Sequence, residues 1–201
     1  MEAQNNHPES VSCDCCGLPP PQVAASGYLH SLSSQQRDAL FGAFKFTPSP
    51  QADNPEHVTI DPQWVSANIG NVTIPQLAKF HITHGTSFNH KGAAQLQGLW
   101  DAWDKAGLLD HVLTFDGSWA PRYKRKRAYG GLENLSNHAW GTAFDINAQW
   151  NPLSSTPAAL GTKGSTRELV ALAEAHGFAW GGNFKSRPDG MHFELAKILS
   201  A

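Results

Sequence analysis

Two short stretches of the chain alternate large apolar side chains with titratable ones, and this constrains the fold more than any other feature. Ala143-Phe144-Asp145-Ile146-Asn147 and Met191-His192-Phe193-Glu194-Leu195 each read as a strand with one buried face. On the first, Asp145 shares a face with Asn147, while Phe144 and Ile146 point the other way. On the second, His192 shares a face with Glu194, opposite Phe193 and Leu195. A partner for the apolar faces is legible nearby. Leu96, Leu99, Trp100 and Trp103 fall at i, i+3, i+4 and i+7, one apolar stripe on a helix from about Lys91 to Ala106, closed by Gly107. A second helix is expected from about Thr166 to His176, opened by a Ser165/Glu168 capping box and ended by Gly177. Ser33 and Gln36 form another such box, opening a short helix through Phe41. Val112–Phe115 and Ala179-Trp180 read as further strands, and Val72-Thr73-Ile74 as a strand-like piece. Residues 45–63, rich in Pro, Asn and Asp, read as loop. Strands and helices mix without regular βαβ alternation, so the expected class is α+β: a small antiparallel sheet with flanking helices and the candidate site on the sheet.

Composition excludes several classes. The 201 residues suit one domain with a small appendage. Lys+Arg 15 against Asp+Glu 17 gives a net charge of −2, so the chain is not a globally basic nucleic-acid binder. No apolar run approaches the roughly 20 residues that span a bilayer. Met1–His7 has neither a basic n-region nor an apolar h-region, so no secretory signal is expected. Cys13-Asp14-Cys15-Cys16 is too clustered for a disulfide framework; a metal clip and a flexible tail before Pro19-Pro20-Pro21 are the two readings. The expected organisation is a flexible segment over 1–27, an extension over 28–80 packing on the rest, and a main domain over 81–201.

The chemistry concentrates in two places. Ser136-Asn137-His138-Ala139-Trp140-Gly141-Thr142-Ala143-Phe144-Asp145 and Asp189-Gly190-Met191-His192-Phe193-Glu194 together offer two His and two Asp near turns or on short strands. His138, Asp145 and His192 make a two-imidazole, one-carboxylate set of the kind Zn²⁺ accepts, leaving a fourth position open. Asp189, three residues before His192 across a glycine, has the place of a general base. Glu194 has the place of a carboxylate that orients an imidazole. From residue types and spacing alone, a metal site and a set of satisfied structural polar residues both remain open.

The ordered pattern Ser136-x-His138-x-x-Gly141-x-Ala143-x-Asp145-Ile146, then Asp189-x-x-His192-Phe193-Glu194, resembles the M15 zinc peptidases. These are D-Ala-D-Ala carboxypeptidases and dipeptidases, and the L-alanyl-D-glutamate endopeptidases of phage endolysins. Trp180-Gly181-Gly182-Asn183-Phe184 also looks like that family. The resemblance covers roughly residues 110–196. It implies the M15/hedgehog-like peptidase fold, zinc on His138, Asp145 and His192, and Asp189 as catalytic acid/base. It implies an arginine upstream of the first motif that steadies the scissile carbonyl oxygen, best matched by Arg122, and a substrate-contacting hydroxyl at Ser136. The implied substrate is a peptidoglycan stem peptide. Without a signal, the implied route to the wall is phage-type release or injection. A non-catalytic zinc-containing wall-binding module on the same scaffold is the alternative.

Trp140 and Trp180 flank the candidate site and read either as walls against substrate or as core. Arg122-Tyr123-Lys124-Arg125-Lys126-Arg127 holds five of the 15 basic residues. It reads as a solvated loop with one catalytic arginine, an attraction to an anionic wall, or a nucleic-acid patch. No nucleic-acid partner is expected, and a monomer is. His81, His84 and His90 lack the glutamate of H-E-x-x-H and read as loop or strand histidines.

Overall fold

The apolar stripe of the long helix finds its partner in a four-stranded sheet. The computed structural model describes residues 28–125 and 130–199. The expectations for residues 1–27, including Cys13, Cys15 and Cys16, and for Lys126 and Arg127 lie outside the described residues.

Eight strands and four α-helices are present among the described residues. α1 (Ser34–Phe41) opens on the expected box, with Ser33 accepting from the Gln36 amide and Gln36 answering the Ser33 amide. β1 (Phe46–Pro48) and β2 (Val58–Ile60) pair antiparallel. They correct the loop reading of 45–63: the Pro- and Asn-rich residues form the connection, while the residues on either side pair. α2 (Pro62–Asn68) is capped by Asp61 and opened by Pro62. β3 (Ile69–Val72) and β4 (Thr86–Asn89) form a second antiparallel pair, so β3 ends at Val72 where the strand-like piece was expected to continue. α3 (Ala93–Lys105) carries the predicted stripe, and all four of Leu96, Leu99, Trp100 and Trp103 are buried.

β5 (Phe115–Gly117), β6 (Ala143–Ile146), β7 (Phe178–Trp180) and β8 (His192–Leu195) form the antiparallel main sheet in the order β5-β6-β8-β7. β5 begins at the end of the predicted Val112–Phe115 strand, because Leu109–His111 turns as a 3-10 helix just before it. α4 (Val170–Ala175) is shorter than predicted, since Arg167–Leu169 is 3-10. The Ser165/Glu168 box does not form reciprocally: Ser165 donates to the Glu168 carboxylate and accepts from the Arg167 amide.

The apolar face of the sheet packs under α3. Phe144 and Phe193 stack with ring centroids 5.4 Å apart, and Trp103 meets both rings edge-on at about 6 Å. Such aromatic pairs each contribute about 0.5–1.5 kcal/mol beyond burial. One apolar cluster runs from Phe41 and Phe44 through this layer to Leu195, so the extension and the sheet share a core. β3 and β4 also pair across residue 80, the boundary expected from the sequence.

Candidate metal centre

The register of β6 on β8 sets Asp145 directly opposite His192. Phe144 pairs with Phe193 in the same ladder, so the apolar and titratable faces separate as the alternation requires. His138 reaches the same spot from a 3-10 turn, Asn137–Trp140, that leads into β6. Gly141 closes this turn at φ +65°, and a Cβ there would lie 2.6 Å from the Ile69 side chain, so only glycine fits. Asn89 fastens the turn to β4, taking the Gly141 carbonyl with its amide and the Trp140 carbonyl with its side chain.

The three side chains converge. His138 Nε2 lies 3.2 Å from Asp145 Oδ2, His192 Nδ1 lies 3.0 Å from Asp145 Oδ1, and the two ring nitrogens are 3.2 Å apart. Tetrahedral bonds of about 2.0–2.1 Å to one ion require donor separations of about 3.3–3.4 Å. The donors therefore stand where one small divalent ion needs them. The opposite ring nitrogens are engaged as well: His138 Nδ1 faces the Ser118 carbonyl, and His192 Nε2 lies 2.9 Å from Glu194 Oε2. These contacts leave the inward nitrogens to bind metal, as in known sites where a carbonyl or carboxylate orients the imidazole. The donor set and its outer contacts fit zinc. No other such group of His, Cys, Asp or Glu is found among the described residues.

Electrostatics around the cluster are strong. Burial alone would push the His192 imidazolium down, but hydrogen bonds and charge from Asp145 and Glu194 outweigh it and raise its pKa to about 10. Burial also works against ionised Asp145, and the two histidines overturn it, holding the carboxyl far below the usual range. Asp189 is different. Burial raises its pKa, neighbouring Asp145 adds to this, and the histidines and Arg122 only partly offset it.

Asp189 is held by a tight local frame. Its amide donates to the Gly181 carbonyl, and its carbonyl accepts from the His192 amide. A Cβ on Gly181 would come within 2.6 Å of the Asp189 carbonyl oxygen. Asp189 Oδ1 is buried and has no hydrogen-bond partner among the described residues.

A cavity of about 700 Å³ opens over the cluster and is lined by His138, Asp145, His192, Asp189, Arg122 and Ser136, among others. Arg122 is placed by both neighbours: its backbone bridges to His57 at the start of β2, and its carbonyl accepts from the Ser136 amide. Its guanidinium feels the charges of Asp145 and Asp189, while burial lowers its pKa.

Trp140 and Trp180 are corrected from candidate walls to core. Trp140 is fully buried against Phe44 and under the Arg37 guanidinium, with Nε1 donating to the Gly42 carbonyl. Trp180 is 3% exposed and donates to the Gly190 carbonyl. Asn147 is not a companion of Asp145 on the strand. It turns left-handed at φ 56° and spends its side chain on the loop at Leu113, Thr114, His111 and Gly164. The aromatic residues that do line the cavity are Trp119 and Phe184, and Arg187 joins them. Phe184 ends the Trp180–Phe184 run that the resemblance includes, whereas Trp119 and Arg187 carry no sequence signal, because they reach the cavity by loop geometry rather than by strand period. Ser31, Leu32, Ser34 and Arg37 line it from the extension.

Taken with the sheet and the converging donors, the comparison with known families points to a peptidase. Residues 130–195 match the family model described as D-alanyl-D-alanine carboxypeptidase, an M15 peptidase model, which bears out the resemblance read from the motifs. The match covers about a third of the chain and contains His138, Asp145, Asp189 and His192. No curated protein matches the chain, and no solved structure does.

Proposed function

We propose that the protein is a zinc metallopeptidase that hydrolyses peptide bonds in peptidoglycan stem peptides, as a D-Ala-D-Ala carboxypeptidase or an L-Ala-D-Glu endopeptidase. One observation carries this reading: a buried carboxylate oxygen with no hydrogen-bond partner among the described residues, on Asp189, shares a cavity with three converging donors and Arg122. A binding module has no use for an unpaired buried carboxylate beside its metal, and such a group is costly to keep.

Residues 81–201 then form the catalytic part, with 28–80 packed on it as an extension. His138, Asp145 and His192 would hold the ion. A divalent metal there supplies a Lewis acid that polarises the scissile carbonyl and acidifies the attacking water. Asp189 takes the proton of that water, and its raised pKa suits it to give the proton back to the leaving amine. Arg122 donates to the carbonyl oxygen as negative charge builds there, from a backbone held by His57 and Ser136. Ser136, buried at the cavity wall beside His138, offers its hydroxyl to the substrate backbone.

The test is mass spectrometry of purified peptidoglycan incubated with the zinc-loaded protein, with Asp189→Ala alongside. The wild type is expected to release new fragments and the variant none. Loss of D-Ala identifies a carboxypeptidase; separation at L-Ala identifies an endopeptidase. Unchanged muropeptides with zinc bound would overturn the proposal in favour of the binding module.

A further inference from the structure

The most unusual charged residue outside the set of converging donors is Arg37, on α1, at the wall of the same cavity. Its side chain is 4% exposed. Burying a guanidinium is costly unless its donors are used, and an apolar side chain would pack there at less cost. Two of its donors are used, and in a particular direction, while Nε has no hydrogen-bond partner among the described residues and lies 3.7 Å from Asp38 Oδ1. Nη1 gives a 2.8 Å hydrogen bond to Asn137 Oδ1, and Nη2 gives one of 3.2 Å to the Leu132 carbonyl. The guanidinium carbon lies 3.6 Å over the Trp140 ring.

The bond to Asn137 settles the orientation of that amide. With Oδ1 held by Arg37, Nδ2 is the end that faces the sheet, where it donates to Glu194 Oε2. The same Glu194 oxygen lies 2.9 Å from His192 Nε2. A carboxylate there keeps the proton on Nε2 and turns Nδ1 toward Asp145 and the ion. A continuous chain thus runs from α1 to a metal ligand: Arg37, Asn137, Glu194, His192. Its first member lies in the extension, outside the segment that matches the peptidase family.

We propose that Arg37 is a positioning residue for the metal centre, acting through Asn137 and Glu194 to fix the ring orientation and tautomer of His192. The inference rests on the reading of His138, Asp145 and His192 as a metal site, and not on the reaction assigned to it.

The experiment measures zinc affinity of the full chain at one fixed pH by competition with a chromophoric chelator. The visible spectrum of the cobalt-substituted protein reads ligand geometry independently of activity. Arg37→Met and Asn137→Ala are each expected to weaken zinc binding by about tenfold or more. The double variant should be no weaker than the worse single one, because both break the same chain. Arg37→Lys, which keeps the charge and one donor, should recover part of the loss. Phe41→Leu, a core change on the same helix that removes none of the hydrogen bonds of the chain, should lower thermal stability and leave zinc affinity and the cobalt spectrum unchanged.

Wild-type affinity and spectrum in Arg37→Met would overturn the proposal. So would a double variant that loses the product of the two single losses, or a Phe41→Leu protein that loses as much affinity as Arg37→Met. If Arg37→Met does not fold, Arg37→Lys combined with Asn137→Ala carries the same cycle. A wild-type protein that takes up no metal would overturn this inference together with the metal reading, whereas metal binding without hydrolysis would overturn the peptidase reading alone.

Discussion

Two neighbouring residues, Asp189 and His192, both hold a proton more tightly than usual, Asp189 through burial and His192 through Asp145 and Glu194, which outweigh burial. Burial raises the pKa of the Asp189 carboxyl, so the folded state resists its ionisation. The folded and unfolded forms are both protonated at low pH, and the penalty grows to its full size once pH exceeds the folded pKa. Asp189→Asn is therefore expected to raise the melting temperature of the metal-free protein at neutral pH, and the gain should vanish in acid. The same variant should lose hydrolysis by about 10²–10⁴-fold, the usual worth of a general base, while keeping its zinc. A variant with full turnover in a muropeptide assay would remove Asp189 from the chemistry. His192 stays protonated in the metal-free protein up to a pKa of about 10. Binding an ion must displace that proton, so zinc affinity should rise by about tenfold per pH unit below that value. Calorimetry in buffers of different ionisation enthalpy would show the proton released. A pH-independent affinity between pH 6 and 8 would mean that the metal-free His192 carries no proton for the ion to displace.

Elements rather than single residues decide how firmly the site is held. The Asp189–His192 turn rests on Gly181, where a Cβ would strike the Asp189 backbone. Gly181→Ala should destabilise the fold by about 1–3 kcal/mol, as overpacking does. It should also reduce hydrolysis by more than that loss of folded protein explains, because it moves Asp189 itself. Chemical denaturation and turnover on the same sample separate the two. Beneath the turn, Phe193→Ala should cost about 3–5 kcal/mol in unfolding free energy, since it removes the stack on Phe144. The elements with long apolar periods were legible from the chain: α3, β6 and β8 stand within a residue or two of where period and turn chemistry put them. β1, β2 and α2 were not, because their side-chain patterns are short and mixed with Pro and Asn. Their strand and helix character comes from tertiary partners, such as the Pro121 carbonyl that takes the Val58 amide.

For the molecule as a whole, the converging donors were legible and the cavity around them was not. His138, Asp145, His192 and Asp189 carry their own signal, a residue type on a strand face or a turn. The walls come from loops and from the extension, and distance along the chain hides them. Arg37 meets Asn137 across 100 positions, which no local pattern encodes. Trp140 was ambiguous for a related reason: its neighbour on the turn, His138, is a candidate ligand, but its own ring is covered by Phe44 and Arg37. Cutting the chain after Phe41 should therefore expose Trp140 and lower both stability and zinc affinity, which intrinsic fluorescence and chelator competition would follow together. A truncated protein with wild-type fluorescence and metal uptake would mean that the extension is dispensable to the centre.

The pairing of Asp145 opposite His192 and of Phe144 opposite Phe193 also bears on how reliably the chain finds its native state. Slipping β8 by a single residue against β6 would drive carboxylates and imidazoles into the aromatic layer and turn the phenylalanines toward water. That alternative is penalised twice, through the core and through charge burial, so the competing registers lie far above the native one. Fidelity of assembly and readiness for metal are thus set by one alignment. A molecule that has completed its core already holds Asp145 and His192 within 3.0 Å of each other, and a proofreading step for the proposed metal centre is built into folding itself.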